Sequence, residues 1–360
     1  MKKKIINYLT YLWQSILFWS IAMMLFVIIR EYGIGEEDGI TLQKGVSDIV
    51  FLTKILPLFA LLGGVMGVIY ATLEFVFEQF VSKKISIGLR TLLKVFIYFF
   101  FIIFVLSLLI ELVVYLYNVP INNERGWWRT DKTFRVILLY IFLAAIVFSF
   151  IKISNEKFGK GVFLKMLFGK YKNPIEEYRI FMFLDLKSST TIAETLGHFK
   201  YSQLIQDCFY DLNELVPKYS AEIYQYVGDE VVLSWPYKKG LANNQCVNLF
   251  FSFQDLLVTK ESYYQNKYGL VPKFKAGMHG GKLMVAEVGV VKKELAFHGD
   301  VINTSARIQS ECNNYGVSIL VSEQLISDLN DTNDYTQKSL GSVLLKGKNE
   351  KMNIYTLLRV

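Results

Sequence analysis

The sequence predicts two fold classes in one chain: a four-span helical membrane domain over residues 1–153, then an α/β (α+β) domain with a mainly antiparallel sheet over residues 179–360. A linker at 154–178 joins them. Three observations predict this. Of 360 residues, 52% are hydrophobic and 15% aromatic, more than an ordinary soluble domain carries. The excess is concentrated in four apolar runs that all lie before residue 154. After Arg179, short β-type runs alternate with amphipathic helical patterns.

The runs are Tyr11 to Ile29, Val50 to Tyr70, Val95 to Tyr117 and Arg135 to Ile153, each about the 20 residues that a bilayer-spanning helix needs. The first is a span and not a cleaved leader, because no small-residue cleavage site follows it and three more runs do. Lys and Arg accumulate on the cytoplasmic side of short flanking segments. Lys2, Lys3 and Lys4, then Lys83, Lys84, Arg90 and Lys94, then the basic stretch from Lys152 to Arg179 all fall on one side. The other side holds fewer: Arg30 and Lys44, then Arg125, Arg129, Lys132 and Arg135 beside Trp127 and Trp128, an interfacial aromatic anchor. Both termini are therefore expected in the cytoplasm, with the chain in the plasma (inner) membrane. Lys54 and Glu111 would lie at similar depth in the second and third spans, where they either form an ion pair or snorkel to the interface.

This topology accounts for the net charge of +7, and a nucleic-acid partner is not expected. Cys208, Cys246 and Cys312 have no metal-ligand spacing and read as free buried thiols in a reducing compartment, so zinc is not implied. In the linker, Val162, Phe163, Leu164, Met166, Leu167 and Phe168 have lysines between and beside them, which fits either a short helix on the membrane surface or a solvated connection. Pro174 ends any helix arriving from the membrane.

Beyond the linker, strands are predicted at 180–185, 221–227, 230–235, 272–279, 282–289, 317–321, 337–345 and 353–358. Helices are predicted at 189–215, 241–266, 300–314 and 322–329. Gly228-Asp229 and Gly280-Gly281 read as two hairpin turns.

Two aspartates stand at the ends of apolar runs. Asp185 closes Arg179-Ile-Phe-Met-Phe-Leu-Asp185, and Asp229 sits in the Gly-Asp turn between two alternating runs. Carboxylates on adjacent strand ends can hold Mg²⁺, which takes hard oxygen ligands and shares its shell with phosphates. Alone, Asp185 could be a helix cap and Asp229 a turn residue. However, Ser188, Ser189 and Thr190 follow Asp185 at a helix start, where unpaired N–H groups favour phosphate. Further on, Asn303 and Arg307 lie four apart on one helical face, and a guanidinium matches phosphate oxygens bidentately.

From about Arg179 to Val360 the chain resembles the class III nucleotidyl (adenylyl and guanylyl) cyclase catalytic domain, a ferredoxin-like fold. The matching pieces occur in family order: Phe183-Leu-Asp-Leu-Lys-Ser-Ser-Thr190, Val227-Gly-Asp229, Gly277-Met-His-Gly-Gly281, Gly299-Asp-Val-Ile-Asn303-Thr-Ser-Ala-Arg307 and Leu345-Lys346-Gly347. The resemblance implies that Asp185 and Asp229 bind two Mg²⁺ or Mn²⁺ ions per site. It implies that Leu186, Lys187, Ser188, Ser189, Thr190 and Lys346 contact phosphates, that Asn303 positions the ribose, and that Arg307 stabilises the α-phosphate in the transition state. It also implies a homodimer in which one chain supplies the aspartates and its partner the Asn/Arg helix. No catalytic His is required, so His279 and His298 read as structural and His198 as a surface residue. The expected function is a membrane-bound adenylate cyclase making cyclic AMP from ATP for intracellular signalling.

The resemblance departs at the base-reading positions. Where adenylyl cyclases of the family usually place Lys and Asp or Thr, this chain has Gln225 and Ala296. Gln225 both donates and accepts, while Ala296 reads nothing by hydrogen bonding, so GTP or a pyrimidine nucleotide stays open beside ATP. Two rival readings are a catalytically inactive cyclase-like membrane module and a diguanylate cyclase. The retained Asp185, Asp229, Asn303, Arg307 and Lys346 argue against the first. The second needs a Gly-Gly-Asp-Glu-Phe turn, of which Val227-Gly-Asp-Glu230 lacks the first Gly and the Phe.

Overall fold

The computed structural model describes residues 2–33, 56–80, 132–159, 161–330 and 334–359, with isolated positions between 53 and 104. The chain divides into two units, Met1–Ser154 and Asn155–Val360.

In the first unit the apolar runs form α1 (Lys2–Gly33), α2 (Leu56–Phe80) and α3 (Lys132–Phe158). Within them Tyr11–Arg30, Leu56–Phe77 and Arg135–Asn155 are long and apolar enough to cross a membrane. Most of the third predicted run, including Glu111, lies outside the described residues. So do Lys54, Lys83, Lys84, Arg90, Lys94, Trp127 and Trp128.

α2 runs past the predicted end at Tyr70 through Phe80, because its added turns stay largely apolar and one of their two acids, Glu74, is paired internally. Glu74 is buried, pairs with Lys152 of α3, and accepts a hydrogen bond from Tyr98. α1 and α2 approach closely at two glycines spaced four apart. A Cβ on Gly63 would lie 2.3 Å from the Trp19 carbonyl oxygen, and one on Gly67 would lie 2.6 Å from the Ile16 Cα. Small residues at that spacing let helix backbones touch.

In the second unit, α4 (Val162–Leu167) is a short helix with no buried residue, leaving Leu164, Leu167 and Phe168 exposed. The remaining elements build one sheet with helices. They are β1 (Ile175–Leu186), α5 (Ser189–Leu215), β2 (Glu222–Val227), β3 (Glu230–Pro236), α6 (Tyr237–Leu241), α7 (Gln245–Thr259), α8 (Glu261–Tyr268), β4 (Phe274–Val288), β5 (Glu294–His298), α9 (Asp300–Tyr315), β6 (Ile319–Ser322), α10 (Glu323–Asp328), β7 (Tyr335–Val343) and β8 (Met352–Arg359). The strand order is β2-β3-β1-β4-β6-β8-β7, with β5 on the far part of β4. The pairing is antiparallel except between β4 and β6, so the sheet is mixed.

β1 is central because both its faces are apolar. Ile180, Met182, Leu184 and Leu186 point into the main core with Leu204 and Cys208 of α5 and Phe250 and Phe253 of α7. Phe181 points the other way, with Val232, Leu283, Val285 and Val301. All three cysteines are free and buried, as expected.

Two expectations fail here. The predicted hairpin at Gly280-Gly281 does not exist: β4 runs unbroken for 15 residues, and its second half pairs with β5, a strand not predicted. These glycines serve close approach instead. A Cβ on Gly280 would meet the Tyr237 ring at 2.5 Å, and one on Gly281 would meet Val301 Cγ2 at 2.8 Å. The predicted helix 241–266 is two helices, divided at Lys260.

Candidate active site

β1 carries Asp185 next to its last residue, and the β2–β3 turn carries Asp229 after Gly228, whose φ of 60° suits a residue without a Cβ. Register places Asp185 opposite Glu230 on β3 and opposite Lys275 on β4. The two aspartates therefore meet at one end of the sheet. Asp185 Oδ2 accepts a hydrogen bond from Gln309 Nε2 at 3.1 Å and lies 3.1 Å from Lys275 Nζ. Asp229 Oδ2 is buried and has no hydrogen-bond partner among the described residues.

Burial pushes the Asp185 carboxyl above its ordinary range; Lys275 opposes that rise and the Asp229 charge adds to it. Glu230 is pushed up to about 7 by burial, then by Asp185 and Asp229. An unpartnered buried carboxylate oxygen beside a second carboxylate is a donor set that suits a hard divalent cation, so Mg²⁺ or Mn²⁺ fits these residues. Among the described residues no group of three or more His, Cys, Asp and Glu side chains has metal-holding geometry. The other coordination positions would fall to phosphate, backbone oxygen or water.

The loop after Asp185 opens the start of α5. Ser188 adopts φ 59° and makes no capping side-chain bond, which leaves the first N–H groups of α5 without a side-chain acceptor. Ser188, Thr190 and Lys187 are exposed and Ser189 is half-buried. The Leu186 side chain is in the core, so only its backbone can face a ligand.

α9 carries the second group. Thr304, Ser305, Ile308, Gln309 and Cys312 are buried, whereas Asn303 is exposed and Arg307 half-buried. At about 100° per residue, Asn303 and Arg307 share one side of the helix, and Arg307 lies about 200° around from Gln309, the residue that touches Asp185. A Cβ on Gly347 would lie 3.4 Å from Arg307 Nη2, so the Lys346-Gly347 turn packs against that guanidinium. Lys346 is exposed. The structure thus collects Asn303, Arg307 and Lys346 on one surface, turned away from the Asp185 contact.

Gln225 is exposed on β2, and Ala296 on β5 pairs with Ala286. Their neighbours Tyr224 and Phe297 stack edge to face, centroids 4.8 Å apart, which ties the two strands together. His279 is buried with Nδ1 2.7 Å from Ser322 Oγ, while His298 and His198 are exposed.

Three side chains at the site escape sequence reasoning: Lys275, Gln309 and Tyr201. The Tyr201 hydroxyl is raised by burial and then by Asp229, a hydrogen bond to Ser189 opposes this, and Asp185 adds a smaller push. Gln309 offered a signal, being a polar residue on the apolar stripe of α9 set by Val301, Ile308 and Cys312. Lys275 offered none, because strand alternation reads it as a solvated face.

Residues 171–359 match the family model described as the adenylate and guanylate cyclase catalytic domain. The chain is 31% identical over 221 residues, 61% of its length, to adenylate cyclase 2 of Rhizobium meliloti (strain 1021), and the match covers 61% of that protein. It is 26% identical over 184 residues, 50% of its length, to adenylate cyclase 1 of the same organism, covering 27% of that protein. These matches leave a substantial part of each relative uncovered. The solved structure of a bacterial light-regulated adenylyl cyclase aligns with a TM-score of 0.52 at 16% identity over 66% of each chain, a likeness in fold.

Proposed function

The chain belongs to the class III adenylyl and guanylyl cyclases, and from that premise we propose that it is a membrane-anchored adenylate cyclase converting ATP to 3′,5′-cyclic AMP and diphosphate. The observation that carries the reading is the buried, unpartnered Asp229 Oδ2 beside Asp185, at the open end of the sheet next to an uncapped helix start. Asp185 and Asp229 would hold two divalent ions, which would supply positive charge to the oxygens of the reacting phosphate. Backbone and hydroxyl groups from Leu186 to Thr190 hold the triphosphate at the start of α5. Asn303 orients the ribose, Arg307 meets charge as it grows on the α-phosphate, and Lys346 holds the terminal phosphates. The O3′–Pα bond forms, the bond from Pα to the bridging oxygen breaks, and diphosphate and the 3′-hydroxyl proton leave.

The site is composite. Because Arg307 and Asn303 lie on the side of α9 away from Gln309 and Asp185, they serve the aspartates of a second copy, and a homodimer has two equivalent sites. The first unit anchors this dimer through four spans, with the N-terminus and the cyclase domain on the cytoplasmic face; the linker expected at 154–178 is shortened at its end, because β1 already begins at Ile175. Similarity to proteins named adenylate cyclases favours ATP. The amide of Gln225 both donates and accepts, which keeps GTP as the second reading.

The test is to incubate the purified full-length protein with each nucleoside triphosphate plus Mg²⁺ or Mn²⁺ and identify cyclic products by mass. Cyclic AMP from ATP is expected; cyclic GMP alone would transfer the assignment to guanylate cyclase, and no cyclic product from any nucleotide would remove the enzyme reading. Co-expressed Asp185→Ala and Arg307→Ala chains should recover part of the activity that each lacks alone.

A further inference from the structure

The two aspartates are treated unequally by their surroundings. Asp229 Oδ2 is buried without a donor, whereas Asp185 Oδ2 already has two, the Gln309 amide and the Lys275 ammonium, each at 3.1 Å. The pair is shielded from water, with the Lys275 and Asp185 side chains 12% and 21% exposed, so its attraction is weakly screened. Gln309 reaches Asp185 because Gly277 lets α9 lie directly on β4, where a Cβ would come within 2.1 Å of the Gln309 backbone nitrogen.

Lys275 also has somewhere to go. Its Nζ lies 3.3 Å from Asn313 Oδ1, and the residue lines a cavity of about 460 Å³. Lys187, Lys273, Leu257 and Asn313 share that lining, while Asp185 does not. Lys275 therefore lines the cavity while its ammonium reaches both the Asp185 carboxylate and the Asn313 amide oxygen.

We propose that Lys275 is an internal counter-cation: it neutralises Asp185 while the divalent site is empty, withdraws toward Asn313 when the ion binds, and so sets the affinity of the site. The proposal rests on the reading of Asp185 as a metal ligand. The effect is one of placement. Lys275 is a positioning residue, acting on the ion through Asp185. Removing a unit charge a few ångströms from the ion should tighten divalent binding about tenfold.

The test uses full-length protein in detergent with Mn²⁺ alone as the probe, its free fraction followed by electron paramagnetic resonance. Lys275→Met should bind Mn²⁺ about tenfold more tightly than the parent, and Lys275→Arg, which keeps the charge, should bind as the parent does. Asn313 is exposed, so Asn313→Asp should fold even where Lys275→Met fails. By drawing the ammonium away from Asp185, it should tighten binding about threefold. In thermal unfolding, Lys275→Met should melt earlier than the parent without Mn²⁺ and recover when Mn²⁺ is added. A merely structural lysine would lower both melting points alike. Unchanged or weaker Mn²⁺ binding in Lys275→Met, or in Asn313→Asp where only that variant folds, would overturn the proposal. Parent-like Mn²⁺ binding in Asp185→Ala would instead remove the metal reading of Asp185 itself.

Discussion

The two units solve the same packing problem with opposite distributions of polarity. In the first, the outward positions are Leu17, Ile21, Leu61, Leu139 and Leu143, while Ser15, Trp19, Tyr70 and Glu74 are buried. The second has a core of Ile180, Met182, Leu184, Trp235, Phe250 and Phe253 and turns most of its charges outward. The difference teaches what each surroundings rewards. In water, apolar burial drives folding. In lipid it would drive nothing, and the described helices of the first unit meet instead at glycine contacts and hydrogen bonds such as Ser20 Oγ to the Ala60 carbonyl at 2.9 Å.

The comparison can be broken or sharpened by substitutions chosen from each side. The largest effect is expected from Phe250→Ala, which empties a fully buried position of the second unit and should cost about 3–5 kcal/mol in denaturant unfolding followed by tryptophan fluorescence. Next, Leu143→Lys puts a charge on the outward face of α3, where it should cost about 2.5–3.5 kcal/mol of insertion and lower the yield resisting alkaline extraction. A silent Leu143→Lys would mean that this face does not meet lipid.

Glu74→Leu should cost about 1–2 kcal/mol in detergent by removing the carboxylate that both Lys152 and Tyr98 bond. Adding Lys152→Met should recover part of that loss; no recovery would mean that the pair is not coupled. Smaller again is a pH effect from His279, one of the buried polar residues of the second unit. Burial lowers His279 from an ordinary 6.5 to about 4, with Lys348 adding to the drop and Asp300 opposing it. The unfolded chain takes up this proton near 6.5 and the folded chain only near 4, so stability should fall as pH drops through that window. Melting temperatures should show a shallower acid slope in His279→Gln. Val258→Lys, on the outward face of α7, should change unfolding by less than about 0.5 kcal/mol.

Legibility in the sequence followed the range of the physics involved. The 180–185 stretch of β1, the Gly228-Asp229 turn, the length of α5 and the Asn303/Arg307 face of α9 were readable because periodicity and turn chemistry act over a few residues. Gly280-Gly281 misled for the same reason. A glycine pair between two strand-like runs reads locally as a turn, whereas its cause is the Tyr237 ring and the Val301 side chain, supplied by α6 and α9. The extension of α2 past Tyr70 takes in Glu74, which is buried against Lys152 of another helix, a partner that no local pattern names.

By itself, the sequence determined which chemistry the chain carries: two carboxylates at strand ends, a helix start suited to phosphate, and an Asn and Arg one turn apart. Residue type and spacing are local properties, written directly in the chain. Only the tertiary structure decided how these groups are divided and tuned. Sheet register set Lys275 opposite Asp185, the close approach at Gly277 brought Gln309 to the same oxygen, and the rotation of α9 turned Arg307 away from both. Those outcomes depend on contacts between residues dozens of positions apart, which no local pattern encodes.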